Sequence, residues 1–97
     1  MTDKITLVNV KGPTSINIDV EITGTGDLRF SGCDLGSAPS EIFGDSDYEY
    51  WLTIDASHKD QVLLALIDKL YAGNPAVISG FKAFLESKGI PCQFTSY

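Results

Sequence analysis

The stretch Ile16-Asn17-Ile18-Asp19-Val20-Glu21-Ile22 alternates β-branched apolar side chains with polar or acidic ones. No helix satisfies a period of two, because a helical face repeats every 3.6 residues; the pattern specifies a strand with one face buried and one in water. Its flanks extend the reading. Lys4 to Val10 (KITLVNV) is β-branched and apolar and reads as a preceding strand, broken by Gly12-Pro13. Thr23-Gly24-Thr25-Gly26-Asp27 reads as a turn into Leu28-Arg29-Phe30-Ser31-Gly32, so the first three strands form an antiparallel meander.

Leu35 to Asp45, with Gly36, Pro39 and Gly44, reads as a loop with a short helical turn after Ser40. Tyr48 to Asp55 reads as a fourth strand, with Tyr48, Tyr50, Leu52 and Ile54 on one face and Glu49, Trp51, Thr53 and Asp55 on the other. Ser57 is placed to cap a helix, with Asp60 three residues later. Val62, Leu63, Leu66, Ile67, Leu70 and Tyr71 form its apolar stripe, and Gly73 ends it. Asn74-Pro75 opens a second helix with Val77, Ile78, Phe81, Phe84 and Leu85 on its apolar face; Lys88-Gly89 and Pro91 stop it. Cys92 to Ser96 alternates and reads as a last strand. Strands first and helices late predict a single α+β domain over residues 1–97. The expected architecture is two-layer: a mostly antiparallel sheet of about five strands (β-β-β-β-α-α-β) with two helices packed on one face.

A chain of 97 residues, 43% of them hydrophobic, builds one modest core without needing a metal or disulfide, so no cofactor is expected. The two cysteines, Cys33 and Cys92, are far apart and in no metal-ligand spacing, which predicts free thiols. No apolar run reaches the ~18 residues of a membrane span. Met1-Thr2-Asp3-Lys4 lacks the basic start of a signal peptide, so a cytoplasmic protein with no membrane association is expected. The net charge of −6 is uneven: residues 19–55 hold nine carboxylates against one cation, Arg29. Such a field repels nucleic acid and anionic lipid and attracts basic proteins; acidic surface also serves solubility alone.

Signatures of chemistry fail. Asp45-x-Asp47-x-Glu49 resembles the start of a calcium loop, but positions six and twelve hold Tyr50 and Ala56 instead of Gly and Glu. The single histidine, His58, falls in a first helical turn, and neither cysteine has a basic neighbour in sequence. Gly24-Thr25-Gly26 lacks the further glycine, the lysine and the helix of a phosphate loop. The aromatics are interleaved with acids rather than lysines, which argues against nucleic acid. No catalytic or metal-ligating residue is therefore assigned. One feature remains. Trp51 lies across the strand from Tyr50 and Leu52, where it either packs on the loop of residues 34–44 or stands exposed among carboxylates as a protein-binding anchor. The candidate protein-binding residues are Asp45, Asp47, Tyr48, Glu49, Trp51 and Asp55.

The pieces SGCDLG (31–36), FGDSDYEYWLTI (43–54), LLALIDKLY (63–71) and FKAFLESKGIPCQFTSY (81–97) resemble small bacterial immunity proteins encoded beside polymorphic toxins of the contact-dependent inhibition type. The resemblance covers about residues 31–97. It implies a small, acidic, non-enzymatic cytoplasmic protein that blocks a cognate toxin, many such toxins being nucleases with basic surfaces. In that reading Asp45, Asp47, Glu49 and Asp55 steer association while Tyr48 and Trp51 anchor it. Two other classes stay open: a general interaction or regulatory module using the same surface, and a small ligand-binding domain or enzyme around Cys33, His58 and the carboxylates. The oligomeric state is not fixed by these residues.

Overall fold

A computed structural model of the chain describes residues 3–36 and 47–97. Four strands form one antiparallel sheet in sequence order: β1 (Lys4–Val10), β2 (Thr14–Ile22), β3 (Leu28–Gly36) and β4 (Asp47–Ile54). A 3₁₀ turn (Ala56–His58) and two helices follow, α1 (Lys59–Tyr71) and α2 (Val77–Ser87). The α+β class and the antiparallel meander stand as expected from the sequence. By contact density the chain forms two compact units, Met1–Val62 and Leu63–Tyr97.

Registers fix what each sheet face carries, because directly opposed residues share a face. Ile5, Val20, Phe30 and Leu52 lie in one row, and Val8, Ile18, Gly32 and Tyr50 in another. These rows gather the apolar side chains on one face. The intervening rows make the other face polar: Lys4, Glu21, Arg29 and Thr53; Thr6, Asp19, Ser31 and Trp51; Asn9, Asn17, Cys33 and Glu49. Among the described residues only Gly32 is buried. The ring of Tyr50 lies over it, and a Cβ at position 32 would come within 2.0 Å of Tyr50 Cε2. The apolar face is thus organised around an aromatic ring covering a glycine, a way of restoring packing where a strand lacks a side chain.

Two turns are pinned by side chains. In the β2–β3 hairpin, the Asp27 amide donates to Thr23 Oγ1 (3.1 Å) and Gly26 adopts φ +87°, a conformation only glycine reaches without strain. Asp27 Oδ1 also accepts from the Ala56 amide (2.9 Å), tying the hairpin to the chain just beyond β4. In the second unit, Tyr71 packs edge-on against Phe81 with centroids 5.9 Å apart. The end of α2 closes as a Schellman motif: the Gly89 amide donates to Glu86 O and the Ile90 amide to Leu85 O, with Gly89 at φ +70°.

The structure corrects several expectations. Among the described residues there are four strands, not five: residues 91–97, including Cys92 to Ser96, have no regular secondary structure. Alternation at a chain end signals which side chains want cover, not which edge will pair with them. Here Phe94 lines an open apolar pocket of about 230 Å³ beside α2 with Ile67, Val77, Phe81 and Leu85, and stays 58% exposed. Strand β3 runs on through Cys33, Asp34, Leu35 and Gly36, because β2 and β4 both continue beside it. The cap is Asp55, not Ser57: Asp55 Oδ2 accepts from the Ser57 amide (2.9 Å) and hydroxyl (2.6 Å). Helix α2 begins at Val77, two residues after Pro75, while Asn74 Oδ1 accepts from the Ala76 amide (2.9 Å). The expected turn after Ser40 and the rest of that loop lie outside the described residues.

Candidate functional site

The polar face is built by strand alternation alone. Each of β2, β3 and β4 turns every second residue to the apolar side, which leaves Asn17, Asp19, Ser31, Cys33, Glu49 and Trp51 side by side on the opposite face. These six line a shallow concavity of about 220 Å³. Trp51, 56% exposed, is its aromatic wall. Asp47 shares this face two residues before Glu49, opposite Leu35.

The floor is held by hydrogen bonds. Asp19 Oδ1 accepts from the Thr6 hydroxyl (2.8 Å) and Oδ2 from the Asn17 amide (3.2 Å), with Lys4 Nζ at 3.7 Å. The Thr6 bond leads, with Asn17 and Lys4 behind it, in holding the Asp19 carboxyl below the ordinary carboxylate range. Arg29 stands 3.9 Å from Glu21 in the neighbouring row. Both cations of this face therefore already have partners within it, whereas Asp47 and Glu49 stand exposed at the β4 end. Partial burial pushes the Cys33 thiol upward, and the Glu49, Asp47 and Asp34 carboxylates add to that shift. A thiol held protonated in an acidic setting is a poor nucleophile.

The sequence-derived set does not fall on one surface. Asp47, Glu49 and Trp51 come together. Tyr48 lies on the apolar face, its ring 5.3 Å from that of Tyr50, because it is a single step along the strand from each acidic neighbour and successive side chains point to opposite faces. Tyr50 donates its hydroxyl to Asp34 Oδ1 (2.8 Å), a bond that raises its own ionisation above the ordinary tyrosine range. Asp55 lies past the end of β4 and is occupied in capping the 3₁₀ turn, its carboxyl lowered by the Ser57 hydroxyl and amide. Asp45 lies outside the described residues. Sequence reasoning missed Asn17, Asp19, Ser31 and Cys33 as neighbours of Trp51. Their alternation was visible, but only the register brings β2 and β3 beside β4.

Cys33 and His58 are not brought together. Cys33 is opposite Glu49, and His58 lies beyond Ile54, five residues or roughly 16 Å further along β4. The His58 Nδ1 instead lies 3.2 Å from Gln61 Oε1. Among the described residues no three His, Cys, Asp or Glu side chains form a group able to hold a metal ion. Nor is any described helix long and apolar enough to cross a membrane.

Fold and site together define an α+β protein whose antiparallel sheet presents a polar face with one exposed aromatic. The comparisons with known proteins found no matching family model, no matching curated protein and no matching solved structure.

Proposed function

We propose that the chain is a non-enzymatic binding protein of the bacterial cytoplasm, an immunity protein that neutralises a cognate toxin through the Trp51 face of its sheet. The observation that carries this reading is the exposure of Trp51 beside Glu49 and Asp47 on a face where the cations of the described strands, Lys4 and Arg29, are matched to Asp19 and Glu21. An exposed tryptophan over a shallow, polar concavity supplies the large contact area typical of an interface anchor. The unmatched carboxylates favour a partner with a basic surface, speed its approach and fix its orientation, and they disfavour nucleic acid. Tyr48 shares the apolar face and Asp55 is engaged as a cap, so this reading keeps neither the anchor role of the first nor the steering role of the second. Asp47, Glu49 and Trp51 are the residues retained.

The test is capture with tagged protein from the source cells, at low and high salt, with the bound proteins identified by mass spectrometry. The expected result is one basic toxin domain, released by salt, encoded beside this chain's gene and lost on Trp51→Ala substitution. Capture of a housekeeping protein instead, or of a toxin indifferent to Trp51→Ala, refutes the assignment.

A further inference from the structure

The two edges of the sheet are not alike. In β1 the register slips between Thr6 and Val8, and the strand carries Lys4; a bulge and an edge lysine both discourage a further strand. β4 has neither device. It pairs with β3 without a break from Asp47↔Leu35 to Ile54↔Leu28, and it contains no glycine, proline or lysine. Among the described residues β4 is the terminal strand of the sheet, so over Glu49–Thr53 one side of its backbone has no neighbour in the described ladder.

Adjacent residues of β4 point to opposite faces, and two of them are large, apolar and exposed on both: Trp51 at 56% and Leu52 at 60%. A partner docking flat on one face covers one of these and leaves the other. A strand added along the β4 edge places cross-strand side chains against both. We infer that the outer edge of β4, over Glu49–Thr53, receives an extended strand of the partner, with cationic side chains on the Trp51 face and apolar ones on the Leu52 face. This deepens the binding reading given above and rests on it.

The acids choose the occupant. Asp47 and Glu49 share the Trp51 face of the edge, so a strand laid beside them has every second side chain next to carboxylate. A second copy of this chain fits badly. Antiparallel self-pairing centred on Tyr50 sets Glu49 opposite Trp51 and Asp47 opposite Thr53, and centred on Trp51 it sets Asp47 opposite Asp55, so neither register offers these carboxylates a cation, in a protein that already carries −6. A strand alternating lysine or arginine with valine or isoleucine meets both faces.

The probe is a ten-residue peptide alternating lysine and valine, with two N-methylated forms of identical charge and side chains. One form is methylated at the amides along one strand edge, the other at those along the opposite edge. Binding is followed by fluorescence anisotropy, and contacts by amide shifts in isotope-labelled protein. The parent peptide is expected to bind and to shift the amides of 49–53 but not those of β1. At least one methylated form should bind about tenfold more weakly, since several backbone hydrogen bonds are lost together. Equal binding by all three peptides overturns the edge while leaving an acidic face that attracts cations. Absence of binding by the parent peptide also overturns it. Neither result touches the capture experiment, whose dependence on Trp51 judges the binding reading separately.

Discussion

Gly32→Ala is the perturbation that most directly interrogates this sheet. An added methyl would lie 2.0 Å from Tyr50 Cε2, 2.3 Å from Cζ and 2.7 Å from Cδ2, so the ring must move. Moving it gives up the Tyr50–Asp34 hydrogen bond of 2.8 Å, worth about 1–2 kcal/mol with a charged acceptor. The displaced ring adds an overpacking cost of about 1–2 kcal/mol. Against these, alanine relieves the entropy cost of glycine in a strand by under about 1 kcal/mol. The net loss expected is about 2–3 kcal/mol, or a fall of roughly 2–3 M in the urea midpoint for a slope near 1 kcal/mol/M. Urea titration followed by circular dichroism measures it. Repeating the substitution in a Tyr50→Val background supplies the control, because without the ring the methyl has room. The cost there should fall below about 0.5 kcal/mol, a coupling that a double-mutant cycle isolates. An equal cost in both backgrounds, or a harmless Gly32→Ala, would refute the packing argument.

Trp51→Ala should weaken partner binding by about 2 kcal/mol, roughly 30-fold, while shifting the urea midpoint little, since the side chain is 56% exposed; calorimetry and urea titration separate the two. Asp47→Asn with Glu49→Gln should slow association at low salt and have little effect at high salt, read by stopped-flow mixing. Gly36→Ala should destabilise the sheet, because Gly36 sits at φ +131° and a Cβ there would approach Pro13 O to 2.2 Å; the urea midpoint reports it. The Asp19 and Asp55 carboxyls are both lowered in the fold, so their stabilisation is fully present above the ordinary carboxylate value near 4 and is lost as pH falls through the depressed values. Thermal unfolding between pH 7 and 2 should show that loss, and Asp19→Asn should flatten it. The hydroxyl of Tyr50 has the opposite sense: its raised ionisation makes the Asp34 bond stabilising below about pH 10 and lost as pH climbs past the folded value.

Residues 16–22 illustrate what was legible in the linear chain. Ile16, Ile18, Val20 and Ile22 had to share a face because a strand alternates, and Asn17, Asp19 and Glu21 had to share the other. The same local rule separated Trp51 from Tyr50, and it also separates Tyr48 from Glu49, so uniting Tyr48 with the acids as one surface ran against the pattern itself. Gly73 and Gly89 marked the helix ends because the left-handed φ values found there, +82° and +70°, suit glycine. These features depend on neighbours a few bonds away, and the chain specifies them directly.

Register is different in kind. That Trp51 stands opposite Ser31, with Asp19 next in the row, follows from where the Thr23–Asp27 turn sets β2 against β3 and from how β4 then aligns. Nothing local distinguishes Gly32, which must stay bare beneath Tyr50, from any glycine in a turn. Nor does the alternation of Cys92 to Ser96 reveal that no strand will form there. Alternation depends only on the backbone dihedrals of one segment, and so the sequence alone determined the first four strands, the two helices and the two-sided character of the sheet, but not the fate of the last segment. The concavity beside Trp51, the glycine under the tyrosine and the terminal place of β4 in the described sheet depend on cross-strand hydrogen bonds between residues far apart in the chain, and only the tertiary structure decided them.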